Sequence, residues 1–239
     1  EWRKPFTQIL VVLPRGKLII LDSSLVQSAT LPNPCLALIT SRNLCTSLSL
    51  SQIIRAAIAG GVNLVQLREK DLGTTELRRL AFEIREITLG RALFFINGER
   101  TLAKECQADG VHFPEQELIK HRNYTNPSTD FLIGQSVHSL SFAQTAEEHH
   151  VSYVQLGTIF PSKSKPSFAG SGTELIRSVS SNIKTPIIAV GGINISNVRA
   201  VSQSGATGIA VISAIMEAKD PQKAAYELRE VLETPQKST

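Results

Sequence analysis

From Cys35 onward the chain repeats one unit: a short apolar run, then a segment of helical period. Eight such runs stand at residues 36–40, 63–67, 92–96, 110–113, 131–137, 153–157, 186–190 and 208–212. Each is four to seven residues long, rich in Val, Ile, Leu or Phe, and lacks clean polar–apolar alternation. Strands covered by protein on both faces have this composition, because neither face is left to water.

The intervening segments at 50–59, 75–87, 101–106, 141–149, 195–202 and 221–232 carry apolar residues at helical spacing. Several open with capping signals: Thr74-Thr75-Glu76, Ser139 before Leu140, and Asp220-Pro221 with proline at the first helical position. Eight strand signals alternating with helices over about 200 residues argue an α/β fold, a (β/α)8 TIM barrel. An open doubly wound sheet is the alternative, disfavoured by the count of eight and by the lack of a G-x-G-x-x-G turn.

Residues 1–34 stand apart. Runs at 9–13 and 17–21 flank Pro14-Arg15-Gly16 in a hairpin-like pattern, and 23–34 read as a polar, proline-punctuated connector. The expected organisation is thus a short N-terminal extension over 1–34 and a barrel over 35–239. The first residue is Glu1 rather than Met, so the extension is read as an appendage or as the tail of an upstream domain.

Composition removes several function classes. Lys plus Arg number 25 against 21 Asp plus Glu, without a basic block, which gives nucleic-acid binding little support. Cys35, Cys45 and Cys106 are odd in number and lack C-x-x-C spacing, so neither a disulfide framework nor a cysteine zinc site organises the fold. They read as buried thiols of a reducing, cytoplasmic compartment. No apolar run reaches the ~20 residues of a membrane span, and no secretory signal is visible.

In a barrel of this kind the chemistry sits just past the C-terminal ends of the strands. After the second run, Gln66, Arg68 and Lys70 share one side of the strand, and Arg plus Lys suit phosphate or diphosphate oxygens. Asn97-Gly98-Glu99 follows the third run. Asn97 can offer an amide to a ring or a phosphate, and Glu99 can approach a cation, or Asn97 simply caps a helix. After the fourth run come Glu115 and Glu117, candidate oxygen ligands for Mg²⁺ or acidic residues of a first helical turn. The fifth run ends in Ser136-Val137-His138, where an imidazole at the barrel mouth can move protons near neutral pH. The sixth leads into Ser162-Lys163-Ser164-Lys165, whose hydroxyls and ammonium groups can wrap an anion. Gly191-Gly192 and Ile212-Ser213 end the last two runs. Loops after strands seven and eight often form a phosphate site, and glycine lets a ligand reach main-chain N–H groups.

These residues resemble a known family, the thiamine phosphate synthase/TenI superfamily. The matching pieces are Gln66-Leu67-Arg68-Glu69-Lys70, Asp109-Gly110-Val111-His112, Ser136-Val137-His138-Ser139-Leu140, Phe160-Pro161-Ser162-Lys163-Ser164-Lys165, Ala189-Val190-Gly191-Gly192-Ile193 and Gly208-Ile209-Ala210-Val211-Ile212-Ser213. All six occur in family order, over residues 34–232.

The resemblance implies a synthase that joins hydroxymethylpyrimidine diphosphate to thiazole phosphate with release of pyrophosphate. Arg68 and Lys70 would hold the diphosphate, with Gln66 and Asn97 near the pyrimidine. Ser136 and the Ser162, Ser164 and Lys165 loop would engage the substrates, and Gly191, Gly192, Ile212 and Ser213 would hold the thiazole phosphate. Synthases usually carry an Asp magnesium ligand where this chain has Gly98, which leaves Glu99 and Glu117 as the candidate metal ligands. That departure keeps two further readings open: a TenI-type thiazole tautomerase with His138 as acid/base, and a non-catalytic barrel that binds thiazole phosphate. Some members are fused behind a Nudix-type domain, of which residues 1–34 would be a remnant. The expected partners are phosphorylated small molecules, and a homo-oligomer is left open.

Overall fold

The structure, a computed structural model, describes residues 8–12, 18–22, 30–117, 131–162 and 169–234. The chain divides into two compact units, Glu1–Thr30 and Leu31–Thr239. In the first, β1 (Gln8–Val12) pairs antiparallel with β2 (Leu18–Asp22), in a register that runs from Gln8 opposite Asp22 to Val12 opposite Leu18. The expected hairpin therefore forms, displaced by one residue at each strand; the Pro14-Arg15-Gly16 turn lies outside the described residues.

The second unit is a closed barrel of eight parallel strands. These are β3 (Cys35–Ile39), β4 (Leu64–Leu67), β5 (Leu93–Asn97), β6 (Gly110–Phe113), β7 (Leu132–Val137), β8 (Tyr153–Gly157), β9 (Ile187–Val190) and β10 (Gly208–Val211). Each pairs with its neighbours in chain order, and β10 closes onto β3 with Gly208 opposite Cys35 and Ala210 opposite Ala37. That last pairing excludes the open doubly wound sheet, which keeps two free edges.

The helices are α1 (Leu50–Ala59), α2 (Thr74–Thr88), α3 (Arg100–Glu105), α4 (Leu140–Glu148), α5 (Gly172–Ser180), α6 (Val198–Ser202), α7 (Ser213–Met216) and α8 (Pro221–Glu233). Ser49 and Gln52 form a reciprocal capping box on α1. Ser139 accepts from the Phe142 N–H at α4, and Asp220 accepts from the Lys223 N–H at α8, as the capping signals predict. At α2 the expected Thr74 cap is instead the first helical residue, with Gly73 before it and no side-chain cap. The segment expected at 195–202 shortens to α6. Its entry is a tight loop in which Asn197 accepts from the Asn194 N–H and donates to the Gly192 carbonyl.

The strands are apolar on both faces because they separate two cores. Outside, helix residues such as Leu50, Ile53, Ile54 and Ala57 of α1 pack on outward strand residues including Leu36, Leu38 and Val65. Full burial of such aliphatic chains contributes roughly 1.5–3 kcal/mol each. Inside, Cys35, Ala37, Ile39, Leu64, Phe95, Tyr153, Ile188 and Ala210 fill the barrel. Two large rings fit there because glycines face them. A Cβ on Gly110 would lie 2.5 Å from the Phe95 ring, and one on Gly134 would lie 2.3 Å from that of Tyr153. Cys35 and Cys106 are buried free thiols, pushed up to about 12 and about 11 by desolvation. Cys45 is only half-buried, so the reading of all three as buried is corrected for that residue.

Candidate active site

Above the apolar interior, the inward positions become polar. Gln66, Asn97, His112, Ser136 and Gln155 occupy them, one from each of β4 to β8. Alternation along each strand requires this: Leu64 and Gln66 face inward, as do Phe95 and Asn97, Gly110 and His112, Gly134 and Ser136, and Tyr153 and Gln155. Buried amides need partners. Gln155 Nε2 donates to Gln66 Oε1 at 3.2 Å, and Gln66 Nε2 donates to Asn97 Oδ1 at 3.0 Å. His112 lies 2.8 Å from Ser136 Oγ through Nε2 and 3.1 Å from the Tyr153 hydroxyl through Nδ1. Burial and, secondarily, the Arg68 charge push the His112 pKa down to about 3, so the ring is neutral near pH 7.

Over this floor lies a cavity of about 690 Å³. On one side stand Arg68 and Lys70, just past β4. The Arg68 main chain is fixed by its N–H, which donates to Thr40 Oγ1 at 2.9 Å. Between the two cations, Glu69 points the other way. Its carboxylate is buried and accepts the Arg42 N–H with both oxygens, at 3.0 and 3.1 Å. Arg42 also pairs with Asp71. This clamp holds the loop after β3, from which Ser41 and Leu44 line the cavity.

The same cavity is lined by Gly191, Gly192 and Ile193 after β9, and by Ile212 and Ser213 after β10. Gly191 has φ +105° and Gly192 φ +62°, the left-handed region that favours glycine. Contact is also too close for a side chain: a Cβ on Gly191 would lie 2.5 Å from Thr158 Cγ2, and one on Gly192 would lie 2.3 Å from the Pro161 carbonyl.

At a third point, Glu115 accepts two hydrogen bonds at Oε2, from the His138 N–H at 2.7 Å and from Nδ1 at 3.0 Å. A carboxylate on Nδ1 selects the tautomer protonated there and leaves Nε2 as the basic nitrogen.

Of the residues singled out in the sequence, Gln66, Arg68, Lys70, Asn97, Glu115, Ser136, His138, Ser162, Gly191, Gly192, Ile212 and Ser213 line this one cavity. Ser164 and Lys165 lie outside the described residues. Glu99 and Glu117 do not line it; Glu99 is exposed at the start of α3. Sequence reasoning missed Gln155, Thr158, Ser41 and Leu44 at the cavity wall, and the Glu115 link to His138. Strand parity marks Gln155 as inward, two residues after Tyr153. The acidic run after the fourth strand marks Glu115 as an oxygen ligand, but nothing local marks His138, 23 positions away, as its partner.

The family model described as thiamine monophosphate synthase matches residues 36–215, the whole barrel up to α7. The chain belongs to this family. A thiamine-phosphate synthase of Pyrococcus abyssi is 38% identical over 182 residues, 75% of this chain and 87% of the relative. One from Coprothermobacter proteolyticus is 33% identical over 198 residues, 82% of this chain and 94% of the relative. The solved thiamine phosphate pyrophosphorylase of Pyrococcus furiosus superposes with a TM-score of 0.73 at 33% identity, covering 84% of this chain and 96% of that one. A 3-hexulose-6-phosphate synthase at 17% identity and TM-score 0.60 shares the fold alone.

Thiamine monophosphate synthases as a family imply Mg²⁺, a hard cation that takes oxygen ligands. The residues here do not form its donor set. Gly98 has no side chain, Glu99 and Glu117 are off the cavity, Asn97 Oδ1 is engaged by Gln66, and Glu115 is engaged by His138. Among the described residues, no three His, Cys, Asp or Glu side chains gather into a metal-binding group. The metal-ligand assignment of Glu99 and Glu117 therefore has no geometric support, because both lie on segments that lead away from the strand ends.

Proposed function

We propose that this chain is a thiamine-phosphate synthase that joins hydroxymethylpyrimidine diphosphate to thiazole phosphate and releases pyrophosphate. The observation that carries the reading is one cavity lined both by Arg68 and Lys70 after β4 and by Gly191, Gly192 and Ser213 after β9 and β10. Two anionic substrates need two groups of anion-binding residues around one reaction centre, and these strand ends offer them.

In this reading Arg68 and Lys70 hold the diphosphate and stabilise the charge that grows as the methylene carbon–oxygen bond breaks. The glycine-lined main chain and the Ser213 hydroxyl hold the thiazole phosphate, with Ile212 beside the ring. The thiazole nitrogen donates its lone pair to the pyrimidine methylene, and the electron pair of the broken bond leaves on pyrophosphate. Gln66 and Asn97 orient the pyrimidine. Their mutual hydrogen bond already fixes both amides, so little ordering remains when substrate binds. Ser136, Ser162, Ser164 and Lys165 complete the contacts to the departing group. No covalent enzyme intermediate and no proton transfer are required at the carbon–nitrogen bond.

The fit of His138 to a proton-transfer role favours a second reading, the thiazole tautomerase. Glu115 holds Nδ1 and frees Nε2 to take a ring proton. Incubation with both substrates, with and without Mg²⁺, tests the two. Pyrophosphate release in step with thiamine phosphate supports the synthase. Proton exchange on the thiazole without release, lost in His138→Ala, supports the tautomerase, and thiazole phosphate binding without either supports a non-catalytic barrel. Residues 1–30 are taken as an extension that the barrel reaction does not use, and the site of reaction as cytoplasmic. No helix among the described residues is long and apolar enough to cross a membrane.

A further inference from the structure

We propose that Tyr153 is a positioning residue: acting through His112, it sets the Ser136 hydroxyl as a hydrogen-bond donor into the cavity. Three inward positions on β8, β6 and β7 form a chain, Tyr153 OH to His112 Nδ1 at 3.1 Å and His112 Nε2 to Ser136 Oγ at 2.8 Å. The two rings stack at 29° with centroids 5.7 Å apart. Tyr153 and His112 are buried, whereas Ser136 is half-buried and lines the cavity.

Such a chain can run in two directions. In one, the phenol donates to Nδ1, Nε2–H donates to Ser136 Oγ, and the serine proton is left for the cavity. In the other, serine donates to Nε2, Nδ1–H donates to the phenol oxygen, and the phenol proton is stranded among Cys35, Phe95 and their neighbours. Among the described residues Tyr153 has no other hydrogen-bond partner. An orphaned buried donor is costly because it gives up its hydrogen bond to water with no replacement, while the serine proton faces a cavity where water or ligand can accept it. The first direction therefore prevails.

The ionisation states agree. Burial raises the Tyr153 pKa well above 10, so the phenol keeps its proton, and His112 is neutral with one N–H to give. The packing agrees as well: only a glycine at 134 lets the phenol reach across to the imidazole. The outcome is a serine proton presented to the ligand, suited to an oxygen that gains negative charge as a leaving group departs. The kinetic consequence rests on the synthase reading; the tautomer does not.

The test has two arms. In nitrogen-15 histidine spectra of the ligand-free protein, the resonance assigned to His112 by loss in His112→Gln should show the Nε2–H tautomer from pH 6 to pH 8; an Nδ1–H tautomer overturns the proposal. In the synthase assay, Tyr153→Phe should lower kcat about tenfold, the worth of one well-placed hydrogen bond, with KM for either substrate within about twofold. In a Ser136→Ala background the same substitution should cost nothing further, because a residue that acts through Ser136 has nothing left to orient. An unchanged kcat, or a full additive loss with Ser136→Ala, overturns it. If the unaltered protein shows no turnover, the synthase reading fails and the tautomer measurement alone decides the proposal.

Discussion

A hydrogen atom in place of a side chain decides what fills the barrel at Gly134. Its Cβ would sit 2.3 Å from Tyr153 Cζ and 2.4 Å from the hydroxyl, and Tyr153 is fully buried. Gly134→Ala is expected to destabilise the protein by about 1–3 kcal/mol, as overpacked cores do, and to displace the phenol from His112; denaturant unfolding measures the first and the His112 spectrum the second. Gly98 is the contrasting case. Nothing lies within 4 Å of a Cβ there, although φ is +79°. Aspartate tolerates that conformation better than most residues, so Gly98→Asp should fold with little loss and restore a family carboxylate. The expected result is a lower Mg²⁺ concentration for half-maximal synthase activity, and an identical Mg²⁺ titration curve would remove residue 98 from any metal site.

At the level of elements, the loop after β3 depends on Glu69 rather than on its own sequence. That carboxylate, on the loop after β4, receives the Arg42 N–H, and Arg42 in turn pairs with Asp71. Glu69→Ala removes the acceptor of a buried N–H, a loss of roughly 1.5–3 kcal/mol for a bond to a charged group. Since Ser41 and Leu44 would lose their place at the cavity wall, KM should rise more than kcat falls, which steady-state kinetics resolve. The Gln-Leu-Arg-Glu-Lys run thus does two tasks by strand parity, with Gln66, Arg68 and Lys70 turned to the cavity and Glu69 to structure. Sequence reading missed two helices, the single-turn α7 and the longer α5, and α5 shows the limit of local signals. Its N-cap Ser171 stands three residues before Glu174, a capping-box spacing, yet Ser171 is itself in helical conformation and makes no capping hydrogen bond.

For the whole molecule, the buried neutral imidazole of His112 links stability to pH. Its folded pKa of about 3 lies below the unfolded value near 6.5, so between these values the unfolded chain binds the extra proton. This contribution is fully present above pH 6.5 and is lost as pH falls towards 3. Stability should decline between pH 6.5 and pH 5 with a slope approaching ~1.4 kcal/mol per pH unit, and His112→Gln should flatten that segment in urea titrations. The barrel also closes within its own unit. The Pro34 carbonyl is held by Asn63 and Arg229, and the hydrogen-bonded ring runs from Cys35 to Val211. Removal of residues 1–30 is therefore expected to leave the melting temperature of the barrel and its kcat within experimental error. The order of apolar runs and helical segments along the chain was enough to determine an eightfold barrel, because strands buried on both faces and helices buried on one write different periods into the sequence. Parity turned Gln66, Arg68 and Lys70 inward past the second run, and the positions at the strand ends named about half of the cavity wall. Tertiary structure alone brings Tyr153 to His112, 41 positions earlier, and His138 to Glu115, 23 positions earlier. Such contacts depend on register between non-adjacent positions, which no local period encodes.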